Sequence, residues 1–258
     1  MSKKNSSVIL KEGFKSYIDL SKVYLNFKSK INKIKKKTFL VAVSGGPDSL
    51  ALSALTKSYA YETKSKFYYV LVNHNLRVNS SSEASSVKKL LKKHKISLAI
   101  LNNKKTIKNN LQKQAREVRY NLLTSFCKQK KISNILTAHN LEDQVETFFI
   151  RLSRGSGLHG LSSMKLSYNL SYNIKLIRPL LEIKKIQLIK ISKLIFGKYY
   201  EDPTNTNTKY LRTRIRNFRK TLEKSGISYD QIFQSINNLS SSRDTIELYL
   251  NKFFSDIV

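Results

Sequence analysis

Six consecutive residues, Ser44, Gly45, Gly46, Pro47, Asp48 and Ser49, join two hydroxyls, two glycines and an acid. That set suits phosphate chemistry. The glycines lack Cβ, so an anion can come close to the backbone. Amide groups at the start of a helix, with its dipole, favour negative charge there. Pro47 fits a first helical turn, where a missing N–H costs little. The Asp48 carboxylate beside phosphates would suit Mg²⁺, which takes oxygen ligands. The run has neither the Lys-Ser or Lys-Thr of a Walker loop nor the GxGxxG spacing of dinucleotide sites.

Other segments carry chemistry-bearing residues. Asn73-His74-Asn75-Leu76-Arg77 follows an apolar run. His74 and Arg77 there would face a cleft mouth, since strand-end loops are favoured places for functional residues. His139 precedes Leu141-Glu142-Asp143-Gln144-Val145-Glu146-Thr147. On a helix, Asp143, Glu146 and Thr147 share one face. Such acids could serve a ligand, or merely offset the helix dipole. Arg151 to Leu161 holds three glycines and two arginines, Arg151 and Arg154. It reads as a flexible loop touching phosphate or substrate. Beyond the turn at 201–205 come Tyr210, Arg212, Arg214 and Arg216, a plausible grip on an RNA backbone.

The elements that must position these residues alternate. Residues 39–43 read as a buried strand, and the apolar run from Leu50 as a helix. Strands at 67–73, 97–101 and 134–138 alternate with helices at 83–95 and 110–131 and one from about 140. This pattern predicts an α/β fold: a parallel, Rossmann-like sheet covered on both faces. Ligands of such sheets sit at the carboxyl ends of the strands. The loops after the first, second and fourth strands should therefore converge. Residues 5–35 read as one or two helices and 164–178 as a ribbon turning near Ser171. Helices at 182–196, ended by Gly197, at 209–224 and, as one or two, at 229–258 complete the chain. The expected division is a nucleotide-binding catalytic domain over 1–215, opening on a helical segment at 1–37. A short C-terminal helical tail follows over 216–258.

Composition narrows the class. The 258 residues carry a formal net charge of +31, which seeks polyanions and points to nucleic acid. Hydrophobic residues make up 40%, enough for a core rather than a disordered chain. No apolar run would cross a bilayer, and the polar start lacks a signal peptide's apolar stretch. A soluble, unsecreted protein is expected, in the cytoplasm or, if organelle-encoded, the matrix or stroma. The one cysteine, Cys127, sits among apolar residues and reads as core. Alone, it excludes an intramolecular disulfide, a four-cysteine zinc site and a paired-cysteine sulfur relay.

The run SGGPDS resembles the PP-loop of ATP pyrophosphatases. With it stand NHNLR at 73–77, Ser82-Glu83-Ala84, Asn110-Leu-Gln112, Ala115-Arg116, Arg119-Tyr120, HNLEDQVETFF at 139–149, RGSGLHGL at 154–161, RPLL at 178–181 and EDPTN at 201–205. In that order, they resemble the tRNA(Ile)-lysidine synthetase family. The resemblance implies ATP and Mg²⁺, free L-lysine, and a tRNA(Ile) with a CAU anticodon. ATP would adenylate the wobble cytidine at its C2 oxygen. The lysine ε-amine would then displace AMP, giving lysidine. It implies that Ser44 to Ser49 and His139 hold ATP, with Asp48 and Asp143 on Mg²⁺. Asp48, Asp143 and Glu146 would be catalytic, the latter two also suited to the lysine ammonium. His74, Arg77, Arg116, Arg154, Arg212 and Arg216 would line the cleft or contact tRNA. A homodimer is compatible with the sequence.

The chain departs from the family pattern at Asn207, where an acid is usual, and at Arg212-Thr213, where an Arg-Asn pair is usual. It also leaves only a short helical tail where many members carry further domains. A PP-loop tRNA thiolase is the runner-up, weakened by the solitary cysteine.

Overall fold

The computed structural model describes residues 5–104, 111–201 and 207–257. Asn110 and most of the 201–205 turn lie outside them. In chain order the elements begin α1 Ser6–Lys11, α2 Ile18–Asn32, β1 Thr38–Val43, α3 Pro47–Glu62, β2 Lys66–Asn73 and α4 Ser80–Lys93. They continue β3 Leu98–Asn102, α5 Leu111–Gln129, β4 Asn134–Leu136, α6 Leu141–Leu152 and α7 Leu158–Leu161. The last are β5 Ser167–Ser171, β6 Ile174–Ile177, α8 Lys185–Phe196, α9 Leu211–Lys224 and α10 Tyr229–Ile257. They fall into two compact units. One runs to His139 and resumes at Leu166–Glu201; the other holds Asn140–Lys165 and the chain from 202 onward.

In the first unit the strand order is β3-β2-β1-β4-β6-β5. All neighbours pair in parallel except β5, which is antiparallel to β6. This is the expected α/β sheet. The chain steps outward from β1 to β3, then returns to β4 on the other side of β1. That reversal makes the gap between the β1 and β4 carboxyl ends the place where such sheets take ligands. The β5–β6 hairpin turns at Tyr172-Asn173, next to Ser171 as expected, and Asn173 takes φ +64°, which asparagine tolerates.

Alternation along the strands sorts the core onto two faces. Phe39, Val41 and Val43 face Leu50, Leu55, Leu91, Leu188 and Ile191, so α3, α4 and α8 cover one side. Leu40 and Val70 join Leu123, Cys127, Ile135 and Leu176 under α5 on the other. Cys127 is fully buried there, and burial pushes its thiol up to about 12. The α3 helix is buried nearly all round, hydroxyls included. Ser53 and Thr56 satisfy theirs by donating to carbonyls one turn back, Ser49 O and Leu52 O, both at 2.8 Å. Gly197 ends α8 at φ +75°.

The second unit is helical. Leu141 and Val145 of α6 pack with Leu222 of α9 and with Tyr229, Ile232 and Ile236 of α10. Residues 229–257 form one helix rather than two. Among the described residues no helix is long and apolar enough to cross a membrane.

Candidate active site

The β1–α3 junction is a tight glycine turn that opens into a helix. Gly46 caps α3 in an extended conformation and Pro47 opens its first turn, with Asp48 beside it. Gly45 takes φ +89°. A Cβ there would stand 2.6 Å from Val87 Cγ2, so both conformation and space demand glycine. Two residues, Tyr200 and Ser49, fix the loop. The Tyr200 amide donates to Gly45 O at 3.0 Å. The Ser49 hydroxyl accepts from the Ser44 and Gly45 amides at 3.1 and 3.2 Å, and donates to Gly46 O at 3.0 Å. Two loop amides therefore converge on Ser49 Oγ, inside the loop, while the first-turn amides of α3 point along its axis, as at any helix start.

The β4 loop emerges beside this turn. Val41 of β1 pairs with Leu136 of β4, so the turns that follow leave the sheet side by side. Nδ1 of the His139 ring lies 2.9 Å from Thr137 Oγ1, which fixes the ring's orientation. The donor chemistry of this corner fits Mg²⁺. That ion keeps waters and takes one or two carboxylates plus substrate phosphates, and Asp48 supplies a carboxylate at the turn.

The β2 loop is locked by asparagines. Asn73 donates to Ser81 Oγ and Asn102 Oδ1, and accepts from the Asn75 amide. The Asn75 side chain donates to Asn103 O at 2.9 Å. His74 sits half-buried on this frame. Burial, then the positive charge of Arg119, lowers its imidazole to about 4, so it is neutral near pH 7. Arg77 lies outside and pairs with Glu83 of α4 at 3.1 Å. Arg116 stands over the Tyr120 ring at 4.9 Å.

In the second unit, α6 begins with a capping box. The Asp143 amide donates to Asn140 Oδ1 at 3.0 Å, and the Asn140 amide donates to Asp143 Oδ2 at 3.1 Å. One turn on, Glu146 is 2% exposed. It accepts from Arg216 Nε and Nη2 at 2.8 and 3.0 Å, a bidentate pair. Arg212 Nε lies 3.2 Å from the same carboxylate, and its Nη2 donates to Thr147 Oγ1. Burial pushes the Glu146 carboxyl up, against the opposing pull of the arginines. Arg212 and Arg216 thus share one buried acid.

The glycine segment differs from the expected open loop. It contains the helical turn α7, and Arg151 turns inward to donate to Gly160 O and Ser163 O at 2.7 and 2.9 Å. The Gln144 side chain clasps Met164 on both sides, accepting from its amide and donating to its carbonyl. Arg154 remains exposed. Sequence reasoning missed the internal role of Ser49, the Tyr200 anchor and the Gln144 clasp. No local signal marks the latter two, because their partners lie far along the chain.

A PP-loop domain family model matches residues 20–221. Proteins named tRNA(Ile)-lysidine synthase are similar. The one from Orientia tsutsugamushi (strain Boryong) is 41% identical over 183 residues, covering 70% of this chain and 41% of that protein. The one from Wolbachia pipientis wMel is 38% identical over 221 residues, covering 84% and 51%. The chain spans about half the length of the curated relatives it matches. Among solved structures, the U34-tRNA thiolase NcsA from Methanococcus maripaludis, with its 4Fe-4S cluster, has a TM-score of 0.72 at 17% identity. It covers 86% of this chain and 78% of that one, a likeness of fold alone.

Proposed function

The chain belongs to the PP-loop domain family, and from that premise we propose that it uses ATP to attach lysine to the wobble cytidine of a CAU-anticodon tRNA(Ile), giving lysidine. The cytidine C2 oxygen attacks the α-phosphate, and pyrophosphate leaves. The lysine ε-amine then attacks C2, and AMP leaves with the oxygen. The observation that carries the reading is the Gly45 nest at the switch point of the sheet, beside His139.

Each unit has its own part. In the first, the Ser44–Ser49 loop and the α3 amides bind the leaving phosphates, where charge grows in the transition state. Asp48 would hold Mg²⁺, which neutralises phosphate charge when bound. His139, oriented by Thr137, lines the nucleotide. His74, neutral, suits contact with an uncharged base edge. In the second unit, Asp143 has one carboxylate oxygen engaged in the cap, and the other is proposed for the lysine ammonium. A carboxylate there can also take the proton the amine loses on attack. Glu146 holds Arg212 and Arg216 in place, and these two, with Arg77, Arg116 and Arg154, are proposed to line the cleft or meet tRNA phosphates. The substrates place the reaction in the cytoplasm, or in an organelle matrix or stroma.

The thiolase reading has less support. A 4Fe-4S cluster takes four cysteine thiolates, and this chain carries one cysteine, buried in the core. The test is AMP release from ATP, with tRNA and lysine supplied singly and together, and a mass spectrum of the tRNA. Release that needs both, with a product heavier by one lysyl unit, is expected. Release with neither, or a product gaining sulfur, overturns the reading.

A further inference from the structure

The α4 helix runs back from the carboxyl end of β2 and delivers its last turn to the amino-terminal edge of the sheet. There, Lys88, Lys92 and Lys95 line a groove with Ile96, Ser97 and Leu98. Lys88 and Lys92 are one helical turn apart, a like-charge spacing that works against the helix. Lys57 of α3 adds a fourth ammonium and donates to Lys95 O at 3.1 Å. Burial and the Lys95 charge together lower its pKa.

Two lysines of this unit pair with acids, Lys28 with Glu62 and Lys30 with Glu182. No described carboxylate pairs with Lys88, Lys92 or Lys95, and the one acid of α4, Glu83, is bound to Arg77 at the other end. The helix dipole gives Lys92 and Lys93, in the last turn, a local reason to be there. It gives none to Lys88, to Lys95 past the helix end, or to Lys57 from another helix. Three cations line one groove with no described acid paired to them, and Lys57 stands beside it.

We propose that this groove docks an RNA phosphate backbone, as a second contact for the tRNA beyond the residues of the nucleotide nest. The inference rests on the reading that the chain acts on tRNA, and specifies where in the first unit the rest of that molecule is held. Phosphates fit better than a small anion. Lysines spread along a helix face match a repeating row of charges, and they would position the RNA without reading its sequence.

The test uses the full chain and a fluorescent CAU-anticodon tRNA, with affinity measured by anisotropy from low to moderate salt. The variant is K88Q/K92Q/K95Q. The control is K11Q/K15Q/K22Q, which removes the same charge from exposed positions in a segment that also carries Glu12 and Asp19. Each lost phosphate contact lowers the slope of log affinity against log salt by about 0.7–0.9. The groove variant should therefore lose about two units of slope and at least tenfold in affinity at low salt. The control should stay within half a unit and threefold. Equal losses in both, or none in the groove variant, overturn the proposal. AMP release at saturating tRNA, measured alongside, reports the reaction separately. A slope difference without lysine-dependent AMP release leaves the groove standing and removes the lysidine reading. Release without a slope difference does the reverse.

Discussion

Replacing Gly45 with alanine tests the nest most directly. The residue sits at φ +89°, and the new methyl would stand 2.6 Å from Val87 Cγ2. A side chain held in such a sparsely populated backbone region costs about 1–3 kcal/mol. Forcing a methyl into a filled contact costs about 1–3 kcal/mol more. Even the lower ends sum to about 2 kcal/mol, roughly thirtyfold in an equilibrium constant. The loss can surface in two places. If the loop relaxes in the free protein, it must be re-formed on binding, and ATP affinity falls. If the loop holds, the unfolding temperature falls instead. Calorimetric titration with ATP and a thermal melt together capture the total. Adding Val87→Ala separates the two causes. It removes Cγ2, so the clash disappears, but the backbone cost stays. After correction for Val87→Ala alone, the double variant should recover part of the loss and not all of it. If Gly45→Ala binds ATP within threefold of wild type and melts at the same temperature, the reasoning about this loop is refuted.

Two other perturbations follow from buried charge. His74 has its imidazole lowered from 6.5 to about 4 by burial first and Arg119 second. Between those values the unfolded chain binds a proton that the folded chain does not, so stability declines as pH falls from about 6.5 to 4. Discounted for the partial exposure of the ring, the decline is about 1–2 kcal/mol. Urea unfolding at pH 7 and pH 4.5 should show a smaller decline in His74→Gln than in wild type, with half-buried His94 adding the same sign to both; parallel profiles would count against it. Glu146→Ala strips two arginines of their shared acid. Breaking a fully buried pair costs about 3–5 kcal/mol. Arg212 and Arg216 keep 41% and 33% side-chain exposure and can turn toward water, so a loss of about 2–3 kcal/mol is expected by denaturant titration. Glu146→Gln, which keeps the shape and part of the hydrogen bonding, should lose less. An alanine variant as stable as wild type would mean that the carboxylate does not hold the α9 arginines.

What the sequence made legible follows from how far each signal travels along the chain. The β1–α3 junction could be read because its determinants are adjacent. An apolar strand buried on both faces, two glycines and a helix-opening proline lie within ten residues, and each limits the backbone by itself. The capping box at Asn140 and Asp143 is equally local, though a ligand role or an offset to the dipole is what the residue types suggest, not the reach back to the Asn140 amide. Helix and strand periodicity gave the alternation, and with it a parallel sheet, because burial on both faces leaves few other arrangements. Periodicity names a face but not what meets it. Arg212 and Arg216 looked like free cations on a basic helix, yet Glu146, 70 residues from Arg216, takes both. Tyr200 shows nothing in its own neighbourhood that marks it as the anchor of Gly45, 155 residues away. The inward turn of Arg151 was hidden differently. Glycines in 155–160 suggest mobility, whereas here one guanidinium closes the segment by donating to Gly160 O and Ser163 O. In each case the residue type was seen and its partner was not, because a side chain's charge belongs to the sequence and its compensation belongs to the fold. The same logic gives the α4 groove its weight: in a chain with far more cations than acids, what marks Lys88, Lys92 and Lys95 is that the fold gathers them in one groove.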